Sequence, residues 1–305
     1  MARVLVTRPL PFPALDRLAA AGHDVHVRGG ALPPSPAELR ALAAGADGIL
    51  SLLTDRVDRE LLVAAPRLRV VANFAVGCDN IDLAACAERG VAVGVTPDVL
   101  TEATADLAFA LLLAAARRLA EGERAVREGD WRTWEPAGWL GADVHGRTLV
   151  IAGAGRIGAA VARRAAGFDM RVITVGRTGD LHAALAEADF ISLHTPLTPA
   201  TRHLVDAAAL AACRPGAILV NTARGGVVDQ VALADALRSG HLAAAALDVT
   251  DPEPLPPDDP LLSAPNLLVV PHIGSATRGA RERMATLAVG NLLAGLAGSP
   301  LPHPA

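Results

Sequence analysis

Leu149-Val150-Ile151-Ala152-Gly153-Ala154-Gly155-Arg156-Ile157-Gly158 is the stretch that decides how this 305-residue chain is read. Four apolar residues predict a buried strand, the glycine run a tight turn, and the residues up to 166 a helix. In that setting Gly153 permits the turn, Gly155 lets backbone approach a pyrophosphate, and Gly158 allows the helix to close on its strand. The N–H groups of the helix start then face the anion. A glycine run in an Ala-rich chain can also be simple turn punctuation; the strand before it and the helix after it favour the dinucleotide reading. The predicted cofactor contacts are Gly153, Gly155, Arg156, Ile157 and Gly158.

The same alternation extends both ways. Upstream, strands are predicted at residues 4–7, 25–27, 48–52, 68–73 and 91–93, with helices at 13–21, 38–44 and 59–64. Thr96-Pro97 punctuates the chain, and one long helix follows, with Thr101 at its start and Glu102 and Asp106 in its early turns. Downstream, strands are predicted at 171–175, 189–193, 217–221, 243–248 and 267–270, and a last helix at 280–297. Strands separated by helices imply parallel βαβ units. The fold class is α/β, with two doubly wound parallel-sheet domains. Residues 97–277 form a dinucleotide-binding domain inserted into a second domain made of 1–96 and 278–305.

Composition removes several function classes. The 28 basic and 32 acidic side chains leave a net charge of −4, so no basic excess exists to pair with nucleic acid or an anionic membrane. The longest apolar run, residues 107–116, is too short to span a bilayer. Cys78, Cys86 and Cys213 have neither zinc nor redox spacing, and no metal site is predicted. With no secretory pattern at the start, a cytoplasmic protein is expected. There is no lysine and no tyrosine. Schiff-base chemistry, Walker-A phosphate binding and Tyr/Lys proton donation are therefore excluded, and acid–base work falls to His, Asp, Glu or Cys.

The second strand of the inserted domain ends in Val175-Gly176-Arg177-Thr178, with no carboxylate before Asp180. An arginine there would pair with a 2′-phosphate where an acid would repel it, which favours NADP, with NAD possible. A solvated surface arginine is the alternative. The other predicted strand ends carry His194, Arg224, Asp248 and His272, with Glu253 just beyond Asp248. Ligands collect at such ends in parallel sheets.

Asn221-Thr222-Ala223-Arg224-Gly225, Leu247-Asp248-Val249 with Pro252-Glu253-Pro254, and Pro271-His272-Ile273-Gly274-Ser275 resemble the D-isomer-specific 2-hydroxyacid dehydrogenases. The likeness runs over nearly the whole chain. It is strongest to the glyoxylate/hydroxypyruvate reductases in the segments Thr96-Pro97-Asp98-Val99-Leu100-Thr101, Val249-Thr250-Asp251-Pro252-Glu253-Pro254-Leu255-Pro256 and His272-Ile273-Gly274-Ser275-Ala276-Thr277. The resemblance implies a Rossmann domain set into a flavodoxin-like substrate domain. It also implies catalytic roles for Arg224, Glu253 and His272. Arg224 would grip a 2-oxo acid carboxylate and polarise its carbonyl. His272 would protonate the carbonyl oxygen, and Glu253 would bond the other ring nitrogen, fix the tautomer and favour the charged ring. Backbone N–H groups of Val76 and Gly77 would hold the carboxylate, and Ser275 completes the predicted substrate contacts. Thr178, His194, Thr195, Pro196, Thr222, Ala223, Asp248 and Gly274 join Arg177 as cofactor contacts, Asp248 as a nicotinamide-amide or structural partner. Without the resemblance, Arg224 reads equally well as a sheet-end partner of Asp248 or Glu253.

Ser51-Leu52-Leu53-Thr54 carries no cation for a substrate phosphate, so a small unphosphorylated 2-oxo acid, glyoxylate or hydroxypyruvate, is expected. The family likeness places Trp131, Trp134 and Trp139 in a homodimer contact, with Trp139 reaching the partner's site; a core cluster is the plain alternative. One departure stands out. Only Thr178-Gly179-Asp180 separates Arg177 from the next helix, where the family inserts a further short strand. The competing functions are another D-2-hydroxyacid specificity or a non-catalytic dinucleotide-sensing interaction protein. A methyltransferase is disfavoured by Arg177 in place of an acidic ribose contact.

Overall fold

Short apolar runs bounded by polar residues become strands, and Ala-rich stretches between them become helices, throughout the computed structural model, which describes all 305 residues. In chain order they are β1 (Arg3–Val6), α1 (Asp16–Ala20), β2 (Asp24–Val27), α2 (Pro36–Ala43), β3 (Gly48–Ser51), α3 (Arg59–Ala64), β4 (Val70–Asn73), α4 (Leu83–Glu88) and β5 (Ala92–Gly94). Then come α5 (Thr101–Ala116), α6 (Leu119–Glu128), β6 (Thr148–Ala152), α7 (Arg156–Ala166), β7 (Arg171–Val175), α8 (Leu181–Leu185), β8 (Phe190–Leu193) and α9 (Ala207–Ala212). The series closes with β9 (Ala217–Asn221), α10 (Gln230–Arg238), β10 (Leu242–Leu247), β11 (Leu267–Val269) and α11 (Arg278–Leu296). Two units result, Met1–Leu100 with Ala276–Ala305, and Thr101–Ser275.

In the first unit the sheet order is β2-β1-β3-β4-β5, all parallel, the flavodoxin-like arrangement. Leu5, Ile49 and Val71 point to one face and meet Leu39, Leu61, Leu62 and Cys86. The last helix, α11, packs so tightly on this sheet that a Cβ on Gly295 would come within 2.6 Å of Val70.

In the second unit the order is β11-β10-β9-β8-β6-β7, again all parallel. Alternate residues of each strand feed opposite cores. Val150, Ile191, Leu219 and Ala245 enter one, and Leu149, Ile151, Phe190, Ile218 and Ala244 the other. A period of two with both faces buried is what a sheet wound by helices on both sides requires. The chain leaves β6 for β7 on one side and later crosses to β8 on the other, so the switch point lies between β6 and β8. Nothing pairs beyond β7, in keeping with the short link after Arg177.

The long helix expected after Pro97 is α5, which begins at Thr101; Arg118 then adopts a left-handed φ of 52°, and a second helix not read from the sequence, α6, follows. No helix is long and apolar enough to cross a membrane.

Candidate active site

All six strands of the second unit run the same way, so their C-terminal ends deliver the predicted residues along one edge. In sheet order these are His272 after β11, Asp248 and Glu253 after β10, Arg224 after β9, His194 after β8, Gly153 after β6 and Arg177 after β7.

The glycine loop shows two kinds of glycine. Gly153 has φ +114°, and a Cβ there would lie 2.6 Å from the His194 carbonyl group; the fold itself demands glycine. Gly158 is likewise enforced, since a Cβ would run into the Gly153 carbonyl. Gly155 is different. Its backbone is extended, and an added Cβ would meet no protein atom within 4 Å. The protein leaves this space open at the start of α7, which has no side-chain cap and no acidic residue in its first turn. By contrast α9, α10 and α11 are capped by Asp206, Asp229 and Thr277. Uncapped N–H groups at the positive end of an 11-residue helix, next to that space, fit an anion such as a dinucleotide pyrophosphate. Arg156 is exposed and Ile157 half-buried on the same turn.

His194 forms the opposite wall of this loop. Its backbone N–H donates to the Ala152 carbonyl at 2.7 Å, and Thr195 Oγ1 donates to the same carbonyl at 3.0 Å. Its ring lies 2.9 Å from Ser192 Oγ and 3.5 Å from Thr222 Oγ1, and burial pushes its pKa down to about 4. It is thus a neutral hydrogen-bonding post at neutral pH. Pro196 is exposed beside it, Thr222 is buried, and Ala223 is half-buried. Arg177 and Thr178 are exposed at the end of β7.

At the other end of the edge, side chains hold one another. The His272 ring donates from Nδ1 to the Glu253 carboxylate at Oε1, with the two side chains 22% and 31% exposed. His272 itself sits at a left-handed φ of 52°, with its N–H directed to the Asp248 and Val270 carbonyls. A non-glycine residue in that region is held there by its surroundings, a recurrent feature of functional sites. Asp248, almost fully buried, supplies much of the hold: its carboxylate accepts from the Ile273 N–H at 2.6 Å and the Gly274 N–H at 2.8 Å. Burial pushes the Asp248 carboxyl up, opposed by those two hydrogen bonds and by the nearby His272 ring. Ser275 is half-buried on the same loop.

Arg224 is half-buried in the turn after β9 and donates from Nη1 to the Ala223 carbonyl at 2.8 Å. Asn221, which the sequence reading passed over, shapes this turn. Its side chain accepts from the Ala223 N–H at 3.0 Å and donates to the Arg224 carbonyl at 2.9 Å. An Asn at a strand end before a turn is the signal that could have found it. In the first unit, the loop after β4 leaves Val76 exposed and Gly77 half-buried. Asn73 Nδ2 donates to the Gly77 carbonyl at 2.9 Å, fixing that peptide.

Comparison with known proteins adds to this geometry. The family model described as D-isomer specific 2-hydroxyacid dehydrogenase, NAD binding domain, matches residues 109–274. A glyoxylate reductase of Korarchaeum cryptofilum is 48% identical over 306 residues, covering 96% of this chain and 92% of that protein. The crystal structure of the TT0316 protein of Thermus thermophilus superposes with a TM-score of 0.94 at 53% identity, covering 99% of both chains. An NADPH-dependent glyoxylate/hydroxypyruvate reductase of Sinorhizobium meliloti, solved with NADP and malonate, gives a TM-score of 0.86 at 33% identity, covering 100% of this chain and 96% of that one.

Proposed function

The chain belongs to the D-isomer-specific 2-hydroxyacid dehydrogenases, and from that premise we propose that it reduces a small unphosphorylated 2-oxo acid, glyoxylate or hydroxypyruvate, to the D-2-hydroxy acid. The observation that carries the reading is the Glu253–His272 hydrogen bond on the same sheet edge as the open glycine loop. The reduced nicotinamide dinucleotide, when bound, supplies a hydride to the carbonyl carbon. Gly155 and the N–H groups at the start of α7 would hold its pyrophosphate, whereas the Gly153 N–H is committed to the Val175 carbonyl at 2.9 Å and that glycine shapes the turn.

The rest is done by side chains of this protein. Glu253 occupies Nδ1 of His272, so Nε2 is the nitrogen that delivers a proton to the carbonyl oxygen. Arg224 presents a planar fork of donors to the substrate carboxylate and draws electron density from the adjacent carbonyl. The N–H groups of Val76 and Gly77, and Ser275, complete the proposed substrate contacts. Asp248 keeps the His272 loop in place through Ile273 and Gly274. Reduction takes up one proton overall, so the equilibrium moves toward oxidation of the hydroxy acid as the proton concentration falls.

Three finer readings accompany this. Arg177, with no carboxylate at the end of β7, supports NADP over NAD. Trp131, Trp134 and Trp139 are 60%, 78% and 48% exposed, with Leu119, Val126 and Leu140 also exposed nearby. Several large exposed apolar side chains in one stretch of sequence support a homodimer. Burial pushes the Cys86 and Cys213 thiols up to about 11, which keeps them as thiols and suits the cytoplasm. The test is NADPH oxidation with glyoxylate and hydroxypyruvate, run beside His272→Ala. No turnover with either acid, or an unimpaired variant, overturns the reading.

A further inference from the structure

Glu253 follows a turn whose leading peptide, at Asp251, is held from three sides. Gln230, the first residue of α10, donates from Nε2 to the Asp251 carbonyl at 2.8 Å and accepts at Oε1 from the Asp251 N–H at 2.8 Å. Arg202 Nη1 lies 3.1 Å from Asp251 Oδ2. From the third side come Gly225 and Gly226, the two residues after Arg224. A Cβ on Gly225 would overlap the Thr250 carbonyl, and one on Gly226 would lie 3.0 Å from Asp251 Oδ2. Thr250 Oγ1 then closes the turn by donating to the Pro252 carbonyl at 2.8 Å.

These contacts are unequal. The Arg202–Asp251 pair is about half exposed on both sides, and such pairs contribute little. The glycines permit close approach, but their carbonyls accept from Val228 and His203 rather than from the turn. Gln230 meets both polar groups of a single residue, which fixes its position and its rotation together. Only a carboxamide offers the donor and the acceptor this needs; a carboxylate could take the N–H but would face the carbonyl with no proton to give.

We propose that Gln230 is a positioning residue for the reaction. By pinning the Asp251 backbone it sets where the Glu253 carboxylate meets the His272 ring, and it ties that meeting to the turn that presents Arg224. This rests on the roles given above to Glu253 and His272. Gln230 acts through Glu253, so its contribution exists only while Glu253 can hold the ring.

The experiment is a double-mutant cycle of Gln230→Met and Glu253→Met, read by steady-state NADPH oxidation with glyoxylate. Methionine keeps the length and apolar stem and removes the hydrogen bonds at each position. Small misplacements of catalytic groups cost up to about 100-fold, and Q230M should lower kcat about tenfold while the KM for NADPH moves less than about twofold. In the E253M background, where nothing holds Nδ1 of His272, Q230M should cost less than about twofold. Gln230→Glu, which keeps only the acceptor, should fall between wild type and Q230M, and serves in its place if Q230M is insoluble. An unchanged kcat in Q230M, or the same loss in both backgrounds, overturns the proposal. If E253M alone leaves the rate intact, the catalytic reading of Glu253 fails and the Gln230 role falls with it. If E253M is costly and Q230M merely adds to it, the Gln230 inference fails by itself.

Discussion

Around β6 and β7 the site edge is made of backbone, whereas around β10 and β11 it is made of side chains that hold each other. Gly153 and Gly158 have no side chain because neighbouring backbone occupies the space, and Gly155 has none although the space is empty. Glu253 and His272 do the opposite, their side chains bonding each other, while the Asp248 carboxylate holds the N–H groups of Ile273 and Gly274 in the loop behind them. The difference follows from the two tasks. A large anion is bound well by many N–H groups that need no reorganisation, and side chains would only obstruct it. Proton transfer needs one ring in one tautomer at one place, and a side chain is held that way only by other side chains.

The largest effect expected from this contrast is at the locked end. His272→Ala should lower kcat for reduction by about 10²–10⁴, with the affinity for NADPH little changed, since a general acid contributes that much. A fluorescence titration of NADPH beside steady-state rates would check it; a parallel loss of cofactor binding would mean the two ends are not separate. Next comes the open end. Gly155→Val should fold with an unchanged melting temperature, because its extended backbone suits any residue and no protein atom is near. It should weaken NADPH binding by about 100-fold, roughly 2.7 kcal/mol. Gly153→Ala, at φ +114° against His194, should lose stability as well as binding. Equal thermal losses in both variants would erase the distinction between the two glycines.

How legible these regions were differs in the same way. Strands β7 and β9 are readable to the residue, β7 because its β-branched residues run from Arg171 to the stop at Gly176, and β9 because an apolar run after Gly216 ends at Asn221. The glycine loop is readable because its chemistry is local. Helix α4 was missed: Leu83–Glu88 is six residues long, half of it alanine, with no periodicity to read and only Asp82 to announce it. Helix α6 is equally hard to separate from α5, because neither glycine nor proline marks the turn at Arg118. At the site, residue types at strand ends named Glu253 and His272, but their bond spans 19 residues and depends on how two loops fold back. The contact between Gln230 and Asp251 spans 21 residues and leaves no trace in either local sequence.

His194 belongs to neither style, and its acid sensitivity tests whether it is a structural post. Its native pKa of about 4 lies below the ordinary 6.5, so the unfolded chain takes up a proton before the native state does. The contribution to stability is full above about pH 6.5 and is lost as pH falls toward 4. Between pH 7 and 5 the loss is of order 2 kcal/mol. His194→Asn has no ring to protonate and should lose correspondingly less over that interval, as read by urea unfolding at the two pH values. Equal losses would mean the ring charges in place.

The smallest effect is expected at Arg177, and the reason is the end of the sheet. β7 is its last strand, only residues 176–180 lead on to α8, and Arg177 is exposed there. A guanidinium in that position would meet a 2′-phosphate in solvent rather than in a closed pocket. One charge-assisted hydrogen bond is worth roughly 1.5–3 kcal/mol, and solvent and salt screening bring it to the low end. Arg177→Ala should therefore reduce kcat/KM for NADPH by about tenfold and leave NADH within about twofold, with the gap closing as ionic strength rises. An equal loss with both cofactors would place the arginine on a shared part of the dinucleotide. No loss with either would leave it a solvated surface residue, and cofactor choice would then have to come from the backbone of the glycine loop.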